Sequence, residues 1–173
     1  DITEIGLSGS VADKINFIKN YMAKDITLKD FLSAEFKEKI VDVRGVTKGK
    51  GFTGSTKRFG LDLLPHKTEK GIRGPGSGGA WHPARVEFRQ PMAGQMGFFT
   101  RITYNNKIIF SGDIPTKNIN PSGGFHNFGT VKNDYLIITG SVQGPEKRGM
   151  LLTVPLRPTK KQLRKNYSFL ELR

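Results

Sequence analysis

The sequence predicts a mostly β protein: a small closed β barrel with minor helices and a long, basic, glycine-rich extension between its strands. Three observations predict it. From Lys39 onward, short runs rich in β-branched and aromatic residues follow one another, punctuated by turn formers rather than helical stretches. Twenty-one glycines and nine prolines among 173 residues supply turns and extended loops. The net charge of +13 gathers in the middle and at the end of the chain, away from the slightly acidic start.

The elements follow in order. "GSVADKINFIKNYM" sets Val11, Ile15, Ile18 and Met22 at helical spacing, with Ser10 as cap and Asp13 three positions on. "DITLKDFL" repeats the sign in a short helix, with Thr27 as cap, Asp30 three later, and Leu28, Phe31 and Leu32 on one side. "KIVDVRGVTKG" reads as a strand on Ile40, Val41 and Val43 running into a glycine-rich turn. "ARVEF", "RITYN", "KIIFSG", "DYLIITGSV" and "MLLTVPL" read as further strands. "PTKKQLRKNYSFLELR" closes the chain as a basic tail over 159–173, with a helix after Thr159 or an arm laid over a partner. Two irregular basic stretches, Val46–Gly60 and Leu63–Arg101, sit between strands. Loops this long are functional or disordered, and with little apolar surface their order must come largely from a bound partner.

A chain of this size buries one core, so residues 1–173 are expected to form a single barrel domain. It starts at Asp1 without a signal-like run and is expected to lack the domain's N-terminal part. No run approaches eighteen apolar residues, and there is no cysteine, which removes disulfides and thiolate chemistry.

Charge decides the class of partner. Residues 1–43 hold 6 basic and 8 acidic side chains, 44–107 hold 12 and 3, 108–143 hold 2 and 2, and 144–173 hold 8 and 2. Such segregation is the footprint of a polyanion-binding face. Other chemistry fits poorly. Gly49–Lys50 lacks the spacing and the following Ser or Thr of a phosphate-binding loop. His66, His82 and His126 are scattered, and neither Ser55 nor Ser77 has a base in a suggestive position. An enzyme is therefore not expected.

For RNA the same stretches make sense, because glycine lets backbone approach phosphate while Lys and Arg neutralise it. The candidate contacts are Lys48, Lys50, Lys57, Arg58, Lys67, Lys70, Arg73, Trp81, His82, Arg85, Arg89, Gln95, Arg101, Lys107, Lys147 and Arg148. Phe52 and Phe59 alternate with basic residues in the first loop, Phe59 being equally suited to packing at the loop base. Trp81, the only tryptophan, lies behind a run of glycines. It reads either as a hydrophobic plug pinning the loop or as an aromatic wedge entering folded RNA.

At these residues the chain resembles ribosomal protein L3 of the large subunit, in its archaeal or eukaryotic form. The resemblance is carried by "VDVRGVTKGKGFTGSTKRFG", "GAWHPARVEF", "AGQMGFFTRITYNNKI" and "GSVQGPEKRGMLLTV", with "INPSGGFHNFGTVKNDYLIITGSV" of archaeal character. It implies a six-stranded barrel of the translation-protein type seated on large-subunit (23S-type) rRNA. An extension over 46–107 would reach toward the peptidyl transferase centre, with Trp81 at its tip beside His82, Pro83 and Arg85. The resemblance further implies help in subunit assembly, contacts with neighbouring ribosomal proteins, and residence in cytoplasmic ribosomes. It implies no membrane, no small-molecule substrate, and no cofactor beyond structural Mg2+ carried by rRNA. Glu69 stands where eukaryotic members carry a histidine that can be methylated, so that modification is not carried over. Phe98, Phe99, Thr100 and Arg101 replace the usual "HRRT" or "HHRT". The alternative is a free-standing RNA-binding regulator or assembly factor without enzymatic activity.

Overall fold

The computed structural model describes residues 2–22, 24, 28, 32 and 40–171. Its elements are α1 (Val11–Tyr21), β1 (Ile40–Val46), β2 (Phe52–Thr53), α2 (Ser55–Phe59), β3 (Gly94–Gln95), β4 (Thr100–Gly112), β5 (Tyr135–Ile138), β6 (Leu151–Thr153) and α3 (Lys160–Arg164). The helix expected over "DITLKDFL" lies largely outside the described residues. Two compact units form, one from Asp1–Gly45 with Ile102–Arg173, the other from Val46–Arg101.

Helix α1 starts where its cap predicts. The Ser10 hydroxyl accepts the Asp13 amide at 3.3 Å, and the Asp13 carboxylate accepts the Ser10 amide at 3.2 Å and its hydroxyl at 2.6 Å. That hydrogen bonding holds the Asp13 carboxyl below its ordinary value. The apolar residues Val11, Ile15, Ile18 and Met22 remain exposed.

The first unit is organised by β1, the interior strand of a sheet ordered β5-β4-β1-β6. Ile40, Val41, Asp42 and Val43 are all buried, so both faces of β1 are covered and the strand does not alternate. Val41 and Val43 pack with Ile108 of β4, flanked by Leu136, Ile138, Met150 and Leu152. Strand β6 runs antiparallel to β1 with Val43 opposite Leu152, and β5 antiparallel to β4 with Gly112 opposite Tyr135. The Tyr135 hydroxyl donates to the Lys117 carbonyl at 3.0 Å, and burial followed by the nearby Asp113 charge pushes its pKa up.

The closed six-stranded barrel is not formed. Among the described residues there are two open sheets, four strands in one and the short β2–β3 pair in the other, with few short helices. Two features explain the difference. "RITYN" and "KIIFSG" are one continuous strand, because the Asn105–Asn106 turn signal is absorbed within β4. Asn105 takes a left-handed conformation, its amide donating to the buried Asp42 carboxylate at 2.8 Å, while the Asn106 side chain donates to the Thr103 carbonyl at 3.0 Å. "ARVEF" is not a strand: residues 84–88 are exposed turn and loop. The main sheet is left with β5 and β6 as short edges, each with one neighbour, and closure requires those edges to pair.

The basic tail docks on this unit. The Lys107 ammonium donates to the Gln162 and Leu163 carbonyls at the end of α3, at 3.2 and 3.0 Å. Phe169 stacks on Phe110 at 5.2 Å, with the Lys117 ammonium over both rings. Among the described residues no helix is long and apolar enough to cross a membrane.

Candidate nucleic-acid interface

Residues 46–101 carry ten Lys and Arg against Asp62, Glu69 and Glu87. Their architecture owes little to apolar burial, since Thr53 and Ser55 are the only buried residues described in this unit. Backbone hydrogen bonds and close-packed glycines hold it instead. In β2–β3, Phe52 stands opposite Gln95 and Thr53 opposite Gly94. The ladder continues as the Lys50 amide donates to the Met96 carbonyl, the Met96 amide to Gly51, and the Thr47 amide to Phe99, each at 2.9 Å. Gly97 has φ 73°, and a Cβ there would overlap the Lys48 carbonyl. Only glycine permits both the conformation and the approach.

Arg58 belongs to this framework. Its Nε donates to the Gln95 carbonyl at 3.1 Å and its Nη1 to Met92 at 2.9 Å, while the guanidinium lies 5.1 Å from the Phe59 ring centroid. A Cβ on Gly94 would come within 3.0 Å of Arg58 Nη1, so the glycine makes room for the clamp. Helix α2 ends on Gly60 in the left-handed conformation, and the Leu61 amide donates back to Thr56 at 3.1 Å. The Thr56 hydroxyl donates to the Arg73 carbonyl at 3.2 Å, and the Leu64 amide to Ile72 at 3.0 Å, closing the loop between them.

The tryptophan loop is tied at its base, where the Glu87 amide donates to the Gly78 carbonyl at 3.4 Å. Gly79 lies beneath the Arg85 carbonyl, which a Cβ would meet at 2.8 Å. Trp81 opens the turn 81–84 and is 82% exposed. It plugs nothing in its unit.

The other candidate residues fall into groups. Lys48, Lys67, Lys70, His82, Arg85, Arg89 and Gln95 are exposed on the same unit. Arg101 is exposed, 5.0 Å from the Phe99 ring centroid, and donates to the Thr100 carbonyl at 3.0 Å. Lys147 and Arg148 lie in a turn of the first unit, with Lys147 at φ 68°. Lys107 is 6% exposed and its ammonium is committed to α3.

Lys50 and Lys57 of the first basic stretch and Arg73 of the second line one cavity of about 340 Å3, together with Phe52, Thr53, Gly54 and Thr56. Sequence reasoning picked out the cations and noticed Phe52, but left Phe52 outside the contact set. The signal was present in its alternation with basic residues; the convergence was not, because Arg73 is distant in sequence. No group of three or more metal-ligating side chains is present among the described residues.

Comparison with known proteins places these features in a family. Ribosomal protein L3 as a family matches residues 1–171. The large ribosomal subunit protein uL3 of Aspergillus fumigatus is 43% identical over 162 residues, covering 87% of this chain and 41% of that protein. The protein of the same description from Thermoplasma acidophilum is 44% identical over 154 residues, covering 88% and 46%. That of Methanococcus vannielii is 43% identical over 162 residues, covering 91% and 47%. The chain thus spans less than half the length of these relatives.

Proposed function

Since the chain belongs to the ribosomal protein L3 family, we propose that it is a structural, rRNA-binding constituent of the large ribosomal subunit. The observation that carries this reading is the unit over residues 46–101, strongly basic, nearly coreless, and presenting an exposed Trp81 on a glycine-tied loop. A surface of this kind gains from a polyanion what it lacks in apolar burial.

In this reading the extension over 46–107 lies against large-subunit rRNA and reaches toward the peptidyl transferase centre. Its role is to position RNA, and peptide-bond chemistry belongs to the RNA. Phosphate contacts come from Lys48, Lys50, Lys57, Lys67, Lys70, Arg73, Arg85, Arg89 and Arg101, with Gln95 beside them and Lys147 and Arg148 on the other unit. Trp81 and His82 meet RNA at the tip. Arg58 shapes the loop and Lys107 anchors the tail, so neither is assigned a phosphate. Help in assembly, contacts with neighbouring ribosomal proteins, Mg2+ carried by the RNA, and residence in cytoplasmic ribosomes belong to the same proposal.

The test is a chemical footprint of large-subunit rRNA with and without the chain. Protection near the catalytic centre is expected, weakening steeply with added salt. Absence of protection there overturns the reading.

A further inference from the structure

Resting on the reading that residues 46–101 face rRNA, we propose that the cavity beside β2 seats one unpaired nucleotide of the RNA strand. The base stacks on Phe52, and Lys50, Lys57 and Arg73 hold its phosphate.

Size is the first argument. At about 340 Å3 the cavity sits near the lower end of the roughly 300–1,000 Å3 range of small-ligand sites. One extruded nucleotide suits it and a duplex does not. Charge is the second. Three cations line the cavity without any carboxylate, and none of the three side chains makes a hydrogen bond or ion pair among the described residues. Like charges gathered in this way repel one another, and a bound phosphate relieves the repulsion.

Phe52 supplies the aromatic face. The period-two alternation of β2 turns Thr53 inward and Phe52 outward, leaving the ring 82% exposed beside the cations. An exposed ring next to basic groups is a platform on which an unstacked base gains contact whatever its identity. Gly54 leaves the mouth open. Its φ of −65° and ψ of 158° suit any residue, and a Cβ would meet nothing within 4 Å, so the protein's own packing does not demand glycine there.

The walls are set in advance. The Thr53 hydroxyl lies within hydrogen-bond reach of the Lys50 and Gly51 carbonyls, at 3.3 and 3.4 Å, and Thr56 holds the Arg73 backbone. Organisation before binding lowers the ordering cost of taking up the ligand.

The test follows backbone amides of the full chain by NMR during titration with AMP, inorganic phosphate and a short unpaired oligoadenylate. AMP is expected to shift the Phe52, Gly54 and Thr56 amides, and the oligoadenylate to bind the same amides more tightly. Phe52→Ala should weaken AMP and oligoadenylate about fivefold or more, the low end of base–aromatic stacking, and leave phosphate unchanged. Lys57→Gln and Arg73→Gln should weaken all three. Gly54→Asn keeps a good helix cap while obstructing the mouth, and should weaken AMP and oligoadenylate.

AMP binding no tighter than phosphate, or an unchanged AMP affinity in Phe52→Ala, overturns the seat. AMP binding more tightly than oligoadenylate identifies a free-nucleotide site and overturns the RNA-strand assignment. The rRNA footprint is measured in parallel. A footprint with silent cavity amides sinks the seat alone, whereas a missing footprint sinks the ribosomal reading.

Discussion

Truncating Trp81 to alanine separates a packing role from an RNA-facing one. A buried large aromatic hides roughly 150–250 Å2 of surface. With Trp81 82% exposed, the covered portion is on the order of 45 Å2 at the upper figure. At about 25 cal/mol per Å2 its loss costs about 1 kcal/mol. For a chain of this length that lowers Tm by about 2–4 °C. A core plug would cost about 3–5 kcal/mol on the same truncation, and the melting curve would move by roughly 6 °C or more. Thermal melting of the full chain, followed by circular dichroism, measures the difference. A fall of that larger size refutes the argument from exposure. In large subunits carrying the same variant, the proposed function predicts altered rRNA reactivity near the catalytic centre, although the isolated chain loses only those few degrees of Tm.

Three other outcomes follow from the geometry. Lys107→Met removes two charge-assisted hydrogen bonds to α3 and should cost about 1.5–3 kcal/mol in urea unfolding. It should leave the salt dependence of rRNA binding alone, whereas Arg73→Gln should lower that slope by about one; equal effects would contradict the assignment of Lys107 to the fold. Gly97→Ala forces a left-handed alanine against the Lys48 carbonyl, costing on the order of 1–3 kcal/mol. The loss should appear as faster hydrogen exchange at the Lys50 and Met96 amides, and Gly51→Ala, which meets no neighbour, should disturb them less. Asp13 should titrate below 3.8 because Ser10 hydrogen-bonds its ionised form. The capping contribution is therefore complete above 3.8 and is lost as pH falls through the folded-state value. An NMR titration of the Asp13 carboxyl checks this: Ser10→Ala should return it toward 3.8, and a wild-type value at or above 3.8 would count against the cap.

Local features were legible where their partners are local. Ser10 and Asp13 are three residues apart, so the α1 cap can be read directly from the spacing. The β-branched runs marked β1, β5 and β6 because their residue types suit a pleated surface. Charge segregation and the long motifs pointed to the family, as neither depends on knowing the fold.

Pairing and burial were decided elsewhere. "RITYNNKIIF" carries a turn signal at Asn105–Asn106, and it remains one strand because Asp42, 63 residues away in the chain, accepts the Asn105 amide. Lys107 looked like any cation of the extension until its ammonium met carbonyls 55 and 56 residues further on. Arg58 looked like a phosphate ligand, yet it donates to carbonyls 34 and 37 residues away. The sequence by itself determined the helix cap, the candidate strands, the segregation of basic charge and the family. Only the tertiary structure decided that the sheet stays open, which cations are committed to carbonyls, and that Lys50, Lys57 and Arg73 line one cavity with Phe52. The physical reason is that capping and strand propensity act over a few residues, whereas edge pairing and the fate of a charged side chain depend on groups brought together from distant parts of the chain.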